Sequence, residues 1–151
     1  MPQLTLPSPT GELTLTEADG SLVALDWGRG PQSLQEATPL LREAKQQLDR
    51  YFDRKLKAFD LPLAPAGSDF HRQVWQIMCE IPFGGTLTYG DIGKRLGAVA
   101  RAVGTACGSN PIPIIIPCHR VLGAGGRMVG YSGKGGIETK VALLQLEGVL
   151  L

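Results

Sequence analysis

The residues best suited to covalent chemistry stand together in Pro117-Cys118-His119-Arg120-Val121. A thiol attacks carbon as the thiolate, so a nucleophilic cysteine needs a base or a positive potential beside it. A histidine oriented by a carboxylate is the minimal arrangement. Cys118 and His119 supply the first two groups, and Glu147, distant in sequence, is the candidate carboxylate. Taken alone, an adjacent Cys-His pair also fits a buried structural cysteine.

A second constellation is Arg101-Ala102-Val103-Gly104-Thr105-Ala106-Cys107-Gly108, one long side chain among small ones. Gly104 inside a helix costs roughly 1 kcal/mol relative to alanine, which implies that another surface approaches closely. Two surfaces satisfy this: a neighbouring helix, or a DNA groove from which Arg101 projects. A small-residue face suits the minor groove, which is read mainly by shape.

These residues need elements to hold them. Thr88 to Asn110 reads as two short helices joined at Gly97, roughly Tyr89 to Leu96 and Val99 to Ser109, the spacing of a helix-turn-helix. Ser68 caps a preceding helix with Phe70, Val74 and Ile77 on one face, which ends at Ile81-Pro82-Phe83-Gly84-Gly85. Val74 and Trp75 are expected in the core, and Cys79 as a buried thiol. Asn110-Pro111 closes the second helix of the pair, because a residue before proline is pushed out of the α region. Pro111 to Leu122 carries three prolines, too many for a central strand. Gly123 to Gly136 is a glycine-rich loop, and Ile137 to Glu147 a last helix with Ile137, Val141 and Leu144 on one face.

The first half has a different pattern. Leu13 and Leu15 alternate with Glu12, Thr14 and Thr16, and Asp19-Gly20 is a hairpin signal, since a type I′ turn needs positive φ at both central residues. Thr38-Pro39 opens an amphipathic helix through Leu40, Leu41, Ala44, Leu48, Tyr51 and Phe52. Phe59 to Gly67, with Pro62, Pro65 and Gly67, reads as a linker, dividing the chain into residues 1–67 and 68–151.

Composition is that of a soluble globular protein: 151 residues, 43% hydrophobic and 19% charged. No apolar run approaches the roughly 18 to 20 residues of a membrane span, so a cytoplasmic, unprocessed chain is expected. Three cysteines and two histidines make neither a disulfide framework nor a closed zinc site, so at least one thiol is free and no metal is expected. The net charge of +1 says nothing for nucleic acid. Its distribution favours the second half for any polyanion. Residues 1–67 hold seven Lys and Arg against nine Asp and Glu, whereas residues 68–151 hold eight against five.

The run from Asn110-Pro111 through Ile114-Ile115-Ile116-Pro117-Cys118-His119-Arg120-Val121 resembles the active-site signature of the O6-alkylguanine-DNA alkyltransferases, or methylated-DNA–protein-cysteine methyltransferases. The likeness extends over Val74-Trp75-Gln76, Ile81-Pro82-Phe83-Gly84, Thr88-Tyr89-Gly90, Arg101-Ala102-Val103-Gly104, Gly130-Tyr131-Ser132-Gly133 and Leu146-Glu147-Gly148. Residues 1–67 are similar only in organisation. The resemblance implies an α/β protein: a small antiparallel sheet and helix of ribonuclease H-like fold, then a helical, winged-helix-like domain with a helix-turn-helix.

It also implies a reaction, in which Cys118 takes the alkyl group from O6-alkylguanine in duplex DNA, and from O4-alkylthymine as an extension, once per molecule. His119 would act as base through a water, with Glu147 fixing its tautomer. Arg101 would fill the gap left by the rotated base, with Ala102 and Gly104 against the groove. Tyr89 would crowd the phosphate and donate a proton to the leaving guanine, and Asn110 would be the hinge to the active-site loop. Tyr131, Ser132 and Val121 would form the substrate pocket, Ser132 bonding O6. The resemblance implies no cofactor and a stand-alone repair protein; the expected form is a monomer, with clustering along DNA left open.

The loop Tyr131-Ser132-Gly133-Lys134-Gly135-Gly136 is longer than the family's form, and Lys134 is a candidate phosphate contact. Two rivals stand beside this reading. A non-catalytic lesion sensor is disfavoured because the sensors carry another residue where this chain has Cys118. A thiol hydrolase using Cys118 and His119 lacks an oxyanion-hole motif and leaves the Arg101 helix unexplained.

Overall fold

A computed structural model describes residues 1–129 and 136–151 of the chain. They fall into two compact units, Met1–Ala66 and Gly67–Leu151.

In the first unit, β1 (Gln3–Leu6), β2 (Leu13–Ala18) and β3 (Ser21–Trp27) form an antiparallel sheet in that order. Asp19 and Gly20 both take positive φ, 51° and 80°, which is the backbone the Asp-Gly signal requires. One row across the sheet is Leu4, Leu15 and Leu25. Helix α1 (Pro39–Phe52) begins where the Thr38 hydroxyl accepts from the Leu41 N–H at 3.1 Å. It buries Leu41, Ala44, Leu48 and Tyr51, and with Leu13, Leu15, Leu22 and Leu25 these make the core.

The stretch read as a linker is partly built into the sheet. The Leu22 N–H donates to Pro62 O and the Ala64 N–H donates to Leu22 O, both at 2.9 Å. Prolines at 62 and 65 are tolerated because this is an edge, where a missing N–H faces away from the ladder.

In the second unit, α2 (Asp69–Cys79) is capped by Ser68, whose hydroxyl accepts from the His71 N–H at 3.1 Å. Val74, Trp75, Ile77 and Met78 are buried. Cys79, expected buried, is exposed: it closes the helix one step beyond that stripe. A strand of two residues, β4 (Leu87–Thr88), leads into α3 (Tyr89–Leu96) through a capping box, Thr88 Oγ1 accepting from the Asp91 N–H and Asp91 Oδ2 from the Thr88 N–H. Gly97 ends α3 with φ 64°, in the left-handed region. Gly93 allows the close turn, for a Cβ there would stand 2.5 Å from the Ala98 carbonyl oxygen.

Helix α4 (Ala100–Gly108) is the second of the pair, fastened to α2 by the Trp75 indole N–H, which donates to Ala106 O at 2.8 Å. After the proline-rich run, β5 (Val121–Leu122) pairs in parallel with β4. The last helix, α5, spans Ile137–Leu146. Its inner face keeps Leu144 of the expected stripe but not Ile137. Ile137 is 47% exposed, and the buried residues are Thr139, Lys140, Leu143 and Leu144. The helix turns Lys140 inward because two backbone carbonyls wait there for its ammonium, as described below. Among the described residues, no helix is long and apolar enough to cross a membrane.

Candidate active site

Asn110, just past the end of α4, organises the loop that carries Cys118. Its Nδ2 donates to Ile116 O at 2.8 Å and its Oδ1 accepts from the Ile112 N–H at 2.9 Å, so one amide spans both ends of the bend. Ile114 within the bend has φ 73°, a region β-branched residues rarely enter, at a cost on the order of 1–3 kcal/mol. Complete burial of its side chain and the two Asn110 bonds hold it there.

Cys118 then opens a 3-10 turn, Cys118–Arg120, its own N–H donating to Ile116 O at 2.8 Å. The thiol is 6% exposed. Burial pushes its pKa up to about 11, against the opposing pull of an Asn110 hydrogen bond and the Lys140 ammonium. It is a protonated thiol until something removes the proton.

His119 is fully buried, and its Nε2 lies 2.6 Å from Glu147 Oε2. Burial holds its pKa below the ordinary value although Glu147 pulls the other way, and Arg120 and Lys140 add to the depression. Burial thus favours the neutral ring, in which Nε2–H donates to the carboxylate. Nδ1 is left as an acceptor with no hydrogen-bond partner among the described residues. Glu147 is buried, 5% exposed, and so is not an ordinary surface charge.

Two residues without a role in the sequence reading complete the site. Arg120 donates from Nε to Glu147 Oε1 at 2.8 Å, from Nη2 to Glu147 Oε2 at 3.0 Å, and from Nη1 to Ile81 O at 2.6 Å. Lys140 has no exposed surface; its Nζ donates to Val121 O at 2.6 Å and Val129 O at 2.8 Å and lies 5.9 Å from the centre of the Tyr89 ring. Burial lowers the Lys140 pKa, and the Cys118 and Cys107 thiols oppose this. The available signal was helical spacing: Lys140, Leu143, Leu144 and Glu147 recur at three and four residues, one stripe with a charge at either end.

Tyr89, half-buried at the start of α3, donates its hydroxyl to Val129 O at 3.4 Å. Its phenol is pushed up to about 12, first by burial and then by the Cys107 and Cys118 thiols. Cys107 is buried with its thiol 3.5 Å from Met78 Sδ. Val121 is fully buried. Tyr89, Cys107, Cys118 and Lys140 thus form one cluster between α3, α4 and α5. Tyr131, Ser132 and Lys134 lie outside the described residues. No group of three or more His, Cys, Asp or Glu side chains among the described residues is arranged to hold a metal.

On α4, Arg101 is exposed and Ala102 half-buried. Among the described residues, a Cβ added to Gly104 would meet nothing within 4 Å, and the same holds at Gly108. Packing against a neighbouring helix therefore does not account for Gly104. The glycines leave an open, smooth face beside Arg101.

A helix-turn-helix unit that carries a buried thiol, a histidine held by a carboxylate, and a smooth helix face with one projecting arginine defines a DNA-acting protein with a cysteine acceptor. Comparison with known proteins gives the family. The family model for the 6-O-methylguanine DNA methyltransferase ribonuclease-like domain matches residues 3–65, and that for the family's DNA-binding domain matches residues 69–149. The chain is 44% identical to a methylated-DNA–protein-cysteine methyltransferase of Methanosarcina acetivorans over 93% of its length and 94% of the relative's. It is 38% identical to the constitutive enzyme of Bacillus subtilis, covering 96% of this chain and 94% of that one. The Mycobacterium tuberculosis OGT solved in complex with DNA superposes with a TM-score of 0.86 at 43% identity, covering 97% of this chain and 92% of that one. The chain belongs to the 6-O-methylguanine DNA methyltransferase family, whose methylated-DNA–protein-cysteine methyltransferases repair DNA by moving an alkyl group to a protein cysteine.

Proposed function

We propose that this chain repairs O6-alkylguanine in duplex DNA, with O4-alkylthymine as a secondary substrate, by one irreversible transfer to Cys118. The observation that supports it most is the direction of His119: Nε2–H is committed to Glu147, so the remaining nitrogen can only accept a proton. His119 takes the Cys118 proton through a water, and the sulfur attacks the alkyl carbon. The S–C bond forms as the C–O6 bond breaks, and the electron pair leaves with guanine. Tyr89, its phenol kept protonated, donates to the leaving ring. Lys140 offsets the negative charge that develops on sulfur. The product is a thioether with no good leaving group, so the protein works once.

A base edge inside a stack cannot meet a protein sulfur in line, so the nucleotide must rotate out at a cost of a few kcal/mol. Arg101 fills the gap while Ala102, Gly104 and the open face of α4 lie against the minor groove. Asn110 is the hinge between that helix and the Cys118 turn. Family resemblance assigns Tyr131 and Ser132, with Val121, to the base pocket; Lys134, which the family's form lacks, is proposed on its charge alone to meet a phosphate. The protein acts as a cytoplasmic monomer without cofactor. The test is to mix it with duplex DNA containing O6-methylguanine and follow the Cys118 peptide by mass spectrometry. One added methyl per molecule is expected, with Cys118→Ser binding but not reacting. An intact lesion beside unmodified protein overturns the reading.

A further inference from the structure

The geometry points to Arg120 as a positioning residue for the transfer reaction: its guanidinium fixes the Glu147 carboxylate so that the His119 ring is presented with Nδ1 as the acceptor. The inference rests on the proposed role of His119 as base.

Arg120 uses its donors on acceptors that are all inside the protein. Nε and Nη2 bond the two oxygens of Glu147, and Nη1 bonds Ile81 O beyond the end of α2. A bidentate fork of this kind sets the plane of a carboxylate as well as its position. Glu147 Oε2, which accepts from Arg120 Nη2, is also the oxygen 2.6 Å from His119 Nε2, so the atom that Arg120 holds is the one that holds the ring. The charge matters as much as the plane. A buried carboxylate without a cation beside it pulls a proton onto the nearest base, and an imidazolium cannot accept the thiol proton. Arg120 neutralises Glu147 before His119 meets it.

The other charges around the ring do not take over this role. Facing His119 are Glu147 and Lys140 from α5 and Arg120 from its own turn, and Cys118 adjoins it in the same turn. Lys140 is committed to Val121 O and Val129 O. Cys79, near the end of α2, lies in the field of Arg120 and of Glu80. Among the described residues, Arg120 is the cation hydrogen-bonded to Glu147.

The experiment compares the wild type with Arg120→Met and Arg120→Lys. Transfer from free O6-benzylguanine is followed against pH, and the His119 ring nitrogens are followed by NMR. In the wild type His119 should be a neutral Nε2–H tautomer wherever transfer is fast. Arg120→Met should move the acid limb of the rate profile upward by about one pH unit or more, slowing transfer roughly tenfold at pH below the wild-type limb and recovering at higher pH. Loss of structural support alone would lower the rate by one factor at every pH, and that parallel profile overturns the proposal. So does a wild-type His119 that is an imidazolium near neutrality. Where Arg120→Met does not fold, Arg120→Lys decides, because it keeps the charge without the fork. Slower transfer with a mixture of ring tautomers is expected, and a wild-type rate with a single tautomer overturns the proposal. Failure of the wild type to take up the benzyl group counts against the transfer reading, while the tautomer of His119 still reports on Arg120.

Discussion

His119 Nε2 and Glu147 Oε2 lie 2.6 Å apart with neither side chain exposed to solvent. The contact joins the 3-10 turn of Cys118 to the end of α5, and Arg120 closes it from the other side of the carboxylate.

Replacing Glu147 by glutamine keeps the shape but leaves Arg120 charged, buried and without its counter-charge. Removing one partner of a buried pair typically costs about 3–5 kcal/mol. The amide also offers a donor where His119 and Arg120 both need an acceptor. Glu147→Gln should lower the unfolding free energy by about that amount, read as a lower denaturant midpoint, and slow transfer by about 100-fold or more. An unchanged midpoint would remove the pair from any account of the fold.

Acid stability follows from His119 itself. Its folded pKa is held below the ordinary 6.5, so the unfolded chain binds the proton more tightly. The contribution is complete above the ordinary value and is lost as pH falls from there through the folded value. Unfolding midpoints of the wild type and His119→Gln, measured at neutral and mildly acid pH, isolate it. The wild type should lose more stability on acidification, and parallel slopes would disprove the assignment.

Lys140→Met tests the electrostatics of the thiol. It removes the ammonium that opposes burial at Cys118 and takes one donor from each of Val121 O and Val129 O. The Cys118 thiol, already at about 11, should rise further. Alkylation of the Cys118 peptide by iodoacetamide at fixed pH, read by mass spectrometry, should slow about tenfold, the effect of one unit of pKa. An unchanged rate would place the charge too far from sulfur to matter.

Local signals located most of the frame. Thr38, Ser68 and Thr88 are capping residues whose side chains do cap, and Asp19-Gly20 is a turn whose backbone needs those two residues. Such features depend on neighbours in the chain, so they are legible without tertiary structure. The inner face of α5 was not. A stripe through Ile137, Val141 and Leu144 follows hydrophobicity alone, whereas the fold buries Lys140 and Glu147 because partners far along the chain bond to them. Arg120 escaped notice for the same reason, since its acceptors Ile81 and Glu147 lie 39 and 27 residues away. The β4–β5 pair, two residues long on each side, is too short to leave a pattern.

The open face of α4 gives the sharpest separation of folding from function. A methyl group at Gly104 meets nothing within 4 Å, and alanine is favoured over glycine inside a helix by roughly 0.5–1 kcal/mol. Gly104→Ala should therefore raise the denaturant midpoint while weakening binding to duplex DNA, because the methyl stands where the groove is proposed to lie. Arg101→Ala, at an exposed position, should leave the midpoint nearly unchanged. It should slow repair of duplex O6-methylguanine far more than reaction with free O6-benzylguanine, which has no stack to leave. Equal losses on the two substrates would argue against Arg101 as the residue that occupies the gap. A Gly104→Ala protein that binds duplex as tightly as the wild type would place the groove elsewhere.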